Sequence, residues 1–120
     1  MTRYVDGFVI PVPQRNLAAY RRMAAKAARV WKDHGALDYK ECVLEDPATD
    51  FALPFPRGLK VRRGETVVFA WVGYKSRAHR DRVNAKVMQD PRIAAACDPQ
   101  AMPFDCKRML YSGFKVFVSA

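Results

Sequence analysis

The chain lacks several things that would each have fixed a class of function. It has only two histidines, His34 and His79, and three cysteines, Cys42, Cys97 and Cys106, none of them in a CxxC pair. Zinc sites need Cys or His ligands paired at short spacing, so no metal site is expected, and three reduced thiols are the simplest reading. No apolar run approaches the ~18 residues that a membrane span requires. Near the N-terminus, Asp6 and Gly7 stand where a signal peptide would carry its apolar stretch, so a cytoplasmic location is expected. Acidic residues are scarce, 12 against 21 Lys+Arg, which leaves a formal charge of +9.

What is present is a substantial core inventory. Half of the 120 residues are hydrophobic and 12% are aromatic, which excludes intrinsic disorder. The length suits one domain, 1–120. Tyr4 to Ile10 is rich in β-formers and meets Pro11 and Pro13. From an N-cap at Asn16, residues Leu17, Tyr20, Ala24, Ala27, Trp31 and His34 recur at three and four residues, an amphipathic helix ended by Gly35. A strand over 37–44 follows, with Leu37, Tyr39, Glu41 and Val43 on one face. Residues 45–64 show no period and hold three prolines and two glycines, a loop of unusual length for so small a domain. Thr66 to Tyr74 is apolar on both faces, which predicts a central, doubly covered strand. Ser76 caps a helix over 77–89, a short helix covers 92–97, and a last strand covers 107–118.

The order is β-α-β-β-α-β. It predicts an α+β, ferredoxin-like protomer, a four-stranded antiparallel sheet with its helices on one face. Two helices cover one face only, yet both faces of the first and third strands are apolar. A second copy meeting the first sheet to sheet, a dimeric α/β barrel, supplies the missing cover.

The candidate site residues follow from chemistry. His79 sits on the apolar stripe of the second long helix with Val83 and Val87, and it titrates near neutrality, which makes it the candidate catalytic acid/base. Asp6 is a carboxylate inside an apolar strand and needs a partner, which Arg108 or Lys107 of the last strand offers. Asp6, Trp71, Arg108 and Tyr111 are the candidate ligand-binding residues, lining a pocket with His79 between sheet and helices. No cofactor and no metal are expected, and a small-molecule ligand and a second copy are the expected partners. The basic clusters at 57–63 and 75–82 invite a nucleic-acid reading. Thr66 to Tyr74 does not match the glycine- and aromatic-rich third-strand signature of the RNA-recognition module. Charge by itself carries no sequence information, so specific nucleic-acid binding is not expected.

The motifs Tyr4-Val-Asp-Gly-Phe-Val-Ile-Pro-Val-Pro, His34-Gly-Ala-Leu, Thr66-Val-Val-Phe-Ala-Trp, Tyr74-Lys-Ser-Arg-Ala-His-Arg-Asp-Arg-Val-Asn-Ala-Lys-Val-Met-Gln-Asp-Pro-Arg and Met102-Pro-Phe-Asp-Cys-Lys-Arg-Met resemble the YbaA-like bacterial family. That family is a domain of unknown function in the dimeric α/β barrel superfamily. The resemblance implies the same protomer and a homodimer, and it implies no activity.

Overall fold

In a computed structural model, which describes residues 1–96, 98 and 100–120, four antiparallel strands form one open sheet. The elements are β1 (Tyr4–Pro13), α1 (Leu17–Asp33), β2 (Asp38–Val43), α2 (Phe55–Gly58), β3 (Glu65–Tyr74), α3 (Arg77–Met88), α4 (Pro91–Ala96) and β4 (Leu110–Lys115). The strand order is β2-β3-β1-β4. Cys97 and Pro99, at the end of the expected short helix and in the turn after it, lie outside the described residues.

Alternation decides what each face carries. Tyr4, Asp6, Phe8, Ile10 and Val12 of β1 lie opposite Tyr74, Val72, Ala70, Val68 and Thr66 of β3. Val72 and Tyr74 pack with Val30 of α1 and with Val83 and Val87 of α3, while Ile10, Val12 and Val68 pack with Tyr20 and Ala24 of α1 and with Phe104. These two clusters are the core, and they put α1 and α3 on the same side of the sheet. The other face carries Val5, Val9, Phe69, Trp71, Leu110 and Phe114. There α2 touches the sheet through Phe55, which meets Phe69 edge-on at 6.3 Å.

The last strand stops at Lys115 rather than at 118, the expected loop 45–64 contains α2, and three further differences from the sequence reading have a visible cause. β1 runs on through Pro11 to Pro13, because its pairing with β4 stops at Val9↔Leu110 while that with β3 continues. Past that point β1 has a neighbour on one side only, where a missing N–H does not break a ladder. β4 begins at Leu110 rather than Lys107, since the Asp105 side chain accepts the Lys107 N–H at 3.0 Å and turns Cys106–Arg108 into a 3-10 turn. Asn16 stands at the start of α1 without capping it; its amide donates to the Pro103 carbonyl at 3.0 Å and ties down the 102–104 segment instead.

The start of α3 is as the sequence indicates, with an added clamp. The Ser76 hydroxyl accepts the His79 N–H at 3.0 Å, and His79 Nδ1 accepts the Lys75 N–H at 2.9 Å. The other side of the imidazole lies against Gly35, which ends α1 at φ 110°, with Nε2 3.7 Å from where a Cβ on that residue would stand. Only a residue without Cβ takes that φ freely. One neutral ring thus joins the end of α1 to the start of α3. Burial, then the charges of Lys75 and Arg82, hold the His79 pKa below its ordinary 6.5.

Two outcomes are expected. Ser76→Ala should cost about 1 kcal/mol in urea unfolding. For His79 the unfolded chain takes up a proton more readily than the folded one, so its contribution is complete above about pH 6.5 and declines below it. Denaturation midpoints at pH 7.5 and pH 5 should therefore fall further for the wild type than for His79→Gln. An equal fall in both proteins removes the clamp from the account.

Candidate functional site

Asp6 is only 1% exposed, on the helix face of a central strand. A carboxylate there has lost its water and must be neutralised in place. The partner is Arg80, whose Nη1 donates to Asp6 Oδ1 at 2.7 Å and to the Tyr111 hydroxyl at 2.8 Å. Arg80 Nε donates to Asp81 at 2.8 Å, and the guanidinium lies 5.1 Å from the Tyr4 ring centre. One turn along α3, Asn84 brings its amide to 3.5 Å from the other Asp6 oxygen. The Asn84 carbonyl oxygen accepts from Trp31 Nε1 at 3.0 Å and from the Tyr74 hydroxyl at 3.2 Å.

Opposite Asp6 on β4 stands Gly113. A Cβ there would run into the Tyr4 hydroxyl and sit 3.1 Å from Arg80 Nη1, so the glycine makes the room in which ring and guanidinium meet. Burial works against the charge on Arg80, yet the carboxylates of Asp81 and Asp6 raise its pKa overall. Burial, and then the nearby Asp6 charge, push the phenols of Tyr74 and Tyr111 up, so both stay protonated. Above this cluster opens a shallow cleft of about 770 Å³, walled by Tyr4, Arg77, Asn84, Met88 and Tyr111.

The five residues singled out from sequence do not line one cavity. Asp6 and Tyr111 come together, joined by Arg80. Trp71 pairs with Gly7 in the β1–β3 ladder and faces the opposite side of the sheet, with Lys40 Nζ 5.9 Å from its ring centre. Arg108 lies in the 3-10 turn before β4 and grips Glu65 with two nitrogens at 2.6 and 3.0 Å, so it is not the partner of Asp6. His79 is occupied by the clamp between α1 and α3.

A second constellation lies at the β2 edge and escaped the sequence reading. Both oxygens of Glu41 accept phenol hydrogens, from Tyr20 at 2.7 Å and from Tyr39 at 2.8 Å. α1 supplies Tyr20 and, one and two turns further on, Ala24, Ala25 and Ala28. These short side chains leave a pocket of about 470 Å³ between helix and strand, closed at the back by Val68. Trp31 supports the Tyr39 ring at 6.1 Å between centres. Burial raises the Glu41 pKa, with the two phenol hydrogen bonds opposing it. Burial and the Glu41 charge raise that of Tyr20 strongly. An apolar concavity with a few convergent polar groups and a shifted carboxyl is the ordinary form of a small-molecule site. The signal in the sequence was Glu41 between Tyr39 and Val43 on one strand face, opposite an alanine-rich helix stripe. Among the described residues no group of three or more His, Cys, Asp or Glu side chains is placed to hold a metal, and no helix is long and apolar enough to cross a membrane.

The cost of the Asp6 arrangement can be measured. Arg80→Met strands a buried carboxylate and should destabilise by about 3–5 kcal/mol, whereas Asp6→Leu combined with Arg80→Met should cost well below the sum of the single changes. Additive costs in a double-mutant cycle would mean that the two groups are not coupled.

Comparison with known proteins adds the lineage. Residues 3–106 match the family model described as "Protein of unknown function (DUF1428)". The chain is 44% identical over 116 residues, 97% of both chains, to the uncharacterized protein YbaA of Escherichia coli K12, and equally to that of Shigella flexneri. Among solved structures it is similar to a de novo designed protein, Foldit4, at 12% identity and TM-score 0.46 over 98% of this chain and 99% of that one, a likeness too slight to bear on function. With a family match over most of its length and relatives this similar, the chain belongs to the DUF1428 family of proteins of unknown function.

Proposed function

We propose that the protein is a cytoplasmic homodimer of ferredoxin-like domains, paired sheet to sheet as a dimeric α/β barrel, and that each protomer binds a small molecule in the pocket between α1 and β2. The observation that carries the binding role is the convergence of Tyr20 and Tyr39 on Glu41 in the wall of an otherwise apolar cavity. The strand order β2-β3-β1-β4, with α1 and α3 on one face, supports the ferredoxin-like assignment. The sheet face away from the helices supports the dimer. Leu110 and Phe114 are 55% and 57% exposed there, beside Phe69. Its charged pair, Asp38 and Lys40, is self-neutralised at 2.6 Å on the β2 margin. Exposed apolar area of this kind marks an interaction surface, and a two-fold axis lets one patch serve both partners. The exposed thiols of Cys42 and Cys106 suit a reducing compartment.

A second reading, a protein that engages another macromolecule through its long loop, is favoured by Phe51, which stands 93% exposed. Native mass spectrometry of untagged protein separates the readings. A dimer carrying a reproducible extra mass is expected. Phe69→Glu with Phe114→Glu should give a folded monomer, and Ala25→Trp should keep the dimer and lose the added mass. A wild-type monomer at micromolar concentration overturns the assembly, and an added mass that survives Ala25→Trp overturns the pocket.

A further inference from the structure

Charge accounting singles out the pocket carboxylate. Among the described residues, the carboxylates that are buried or half-buried include those of Asp6, Asp38, Glu65 and Asp90, each with an arginine or lysine nitrogen at 2.6–2.8 Å. The chain carries 21 such cations, so a partner is the rule wherever a carboxylate is held against the fold. Glu41 is the exception. Among the described residues it forms no ion pair, and its partners are the neutral phenols of Tyr20 and Tyr39. Each phenol binds one oxygen, and a carboxylate offers about four lone-pair sites, so two further acceptor positions remain.

The surroundings decide what belongs there. The titratable and charged groups around Glu41 are Tyr20 and Arg21 on α1, and Tyr39 and Cys42 on β2; β3 contributes the aliphatic Val68. Arg21 is exposed, stands in the pocket wall beside Tyr20, and makes no ion pair with Glu41 among the described residues. The remaining wall is alkyl, from Leu17, Ala24, Ala25 and Ala28. A negative group recessed among methyl groups, with its lone pairs half used, complements a small cation with an apolar body.

We infer that the pocket between α1 and β2 is selective for a protonated primary amine, its ammonium donating to Glu41 and its hydrocarbon part lying along the alanines of α1. The inference rests on the small-molecule reading above and names its ligand class. Tyr20 and Tyr39 are positioning residues: they fix both carboxylate oxygens and leave the remaining lone pairs directed at the ligand. A cation favours ionised Glu41, which burial disfavours, so amine binding should strengthen as pH rises from 5 to 7.

The probes are benzylamine, benzyl alcohol and benzoate, which share one ring and differ in head group. They are titrated into the full-length protein by calorimetry and by amide chemical-shift perturbation. Benzylamine is expected to bind at least tenfold tighter than benzyl alcohol. Glu41→Gln should lose that preference while retaining the weak binding of the alcohol. Tyr39→Phe, a milder change that releases one carboxylate oxygen, should narrow the preference for the amine without abolishing it, and an unchanged preference in this variant counts against the positioning role. Equal affinity for amine and alcohol, unaffected by Glu41→Gln, overturns the amine class and leaves the pocket standing. Tightest binding of benzoate, weakening as pH rises, overturns it in favour of an acid paired with protonated Glu41. If none of the three shifts the amides of Tyr20, Ala24, Ala28 or Glu41, the pocket reading falls as well.

Discussion

A charge buried in the middle of a sheet has to be answered by whatever packs over it, and here that charge is Asp6. Its answer, Arg80, comes from α3, and the same guanidinium nitrogen binds Tyr111 of β4. Asn84, one turn later, carries the connection through its carbonyl oxygen to Trp31 of α1 and Tyr74 of β3. Sliding α3 along its axis or rotating it would leave Asp6 unpaired at a cost comparable to much of a small domain's net stability. Apolar packing tolerates such slips far better, since Val83 and Val87 would still be buried by neighbouring rows. The polar network therefore fixes the register that the hydrophobic core leaves loose.

The sequence made some of this legible and hid the rest for identifiable reasons. Period-two alternation in β1 and β3, and the three-four spacing of α1, report on faces, and faces are set by local geometry alone. The apolar outer face and the caps at Ser76 and Gly35 were legible for that reason. The partner of Asp6 was not. Its choice depends on where β4 starts, and the strand-like run from Lys107 is interrupted by a side-chain turn from Asp105. Arg108 is thereby released to Glu65, and the nearest cation in space comes from a helix 74 residues further along the chain. Glu41 was hidden differently. Its face on β2 was readable, but the gap beside it exists only because Ala24, Ala25 and Ala28 stand opposite, and helix-to-strand registry is not written in either segment.

The two carboxylates on the helix side of the sheet divide the labour. Asp6 lies on a central strand, is enclosed on every side and is neutralised by a cation from its own chain. Glu41 lies on the edge strand β2, within reach of solvent through the pocket mouth, and has only neutral partners. A central position makes an unpaired charge intolerable, because no solvent or ligand can reach it. An edge position relaxes that demand: burial is partial, the carboxyl can take up or release its proton, and an external group can complete its coordination. The contrast separates a group that specifies the fold from one available for function, although both are acids on strands covered by helices.

The outer face extends the same logic to assembly. β3 is apolar on both sides, with Val68, Ala70 and Val72 toward the helices and Val67, Phe69 and Trp71 away from them. A strand of that pattern belongs in the middle of a structure with two covered faces; the chain covers one with α1 and α3 and only part of the other, where Phe55 of α2 meets Phe69. Because β2 and β3 are adjacent, Glu41 and the outer-face residues Phe69 and Trp71 sit on strands joined by a single hydrogen-bonded ladder, with Glu41 opposite Ala70 and Cys42 opposite Phe69. Anything that packs on the outer face therefore holds the strand that carries the pocket carboxylate. Pairing of two sheets would stiffen β2, an edge strand that one protomer supports from one side, and would fix the spacing between Glu41 and α1 on which the pocket depends.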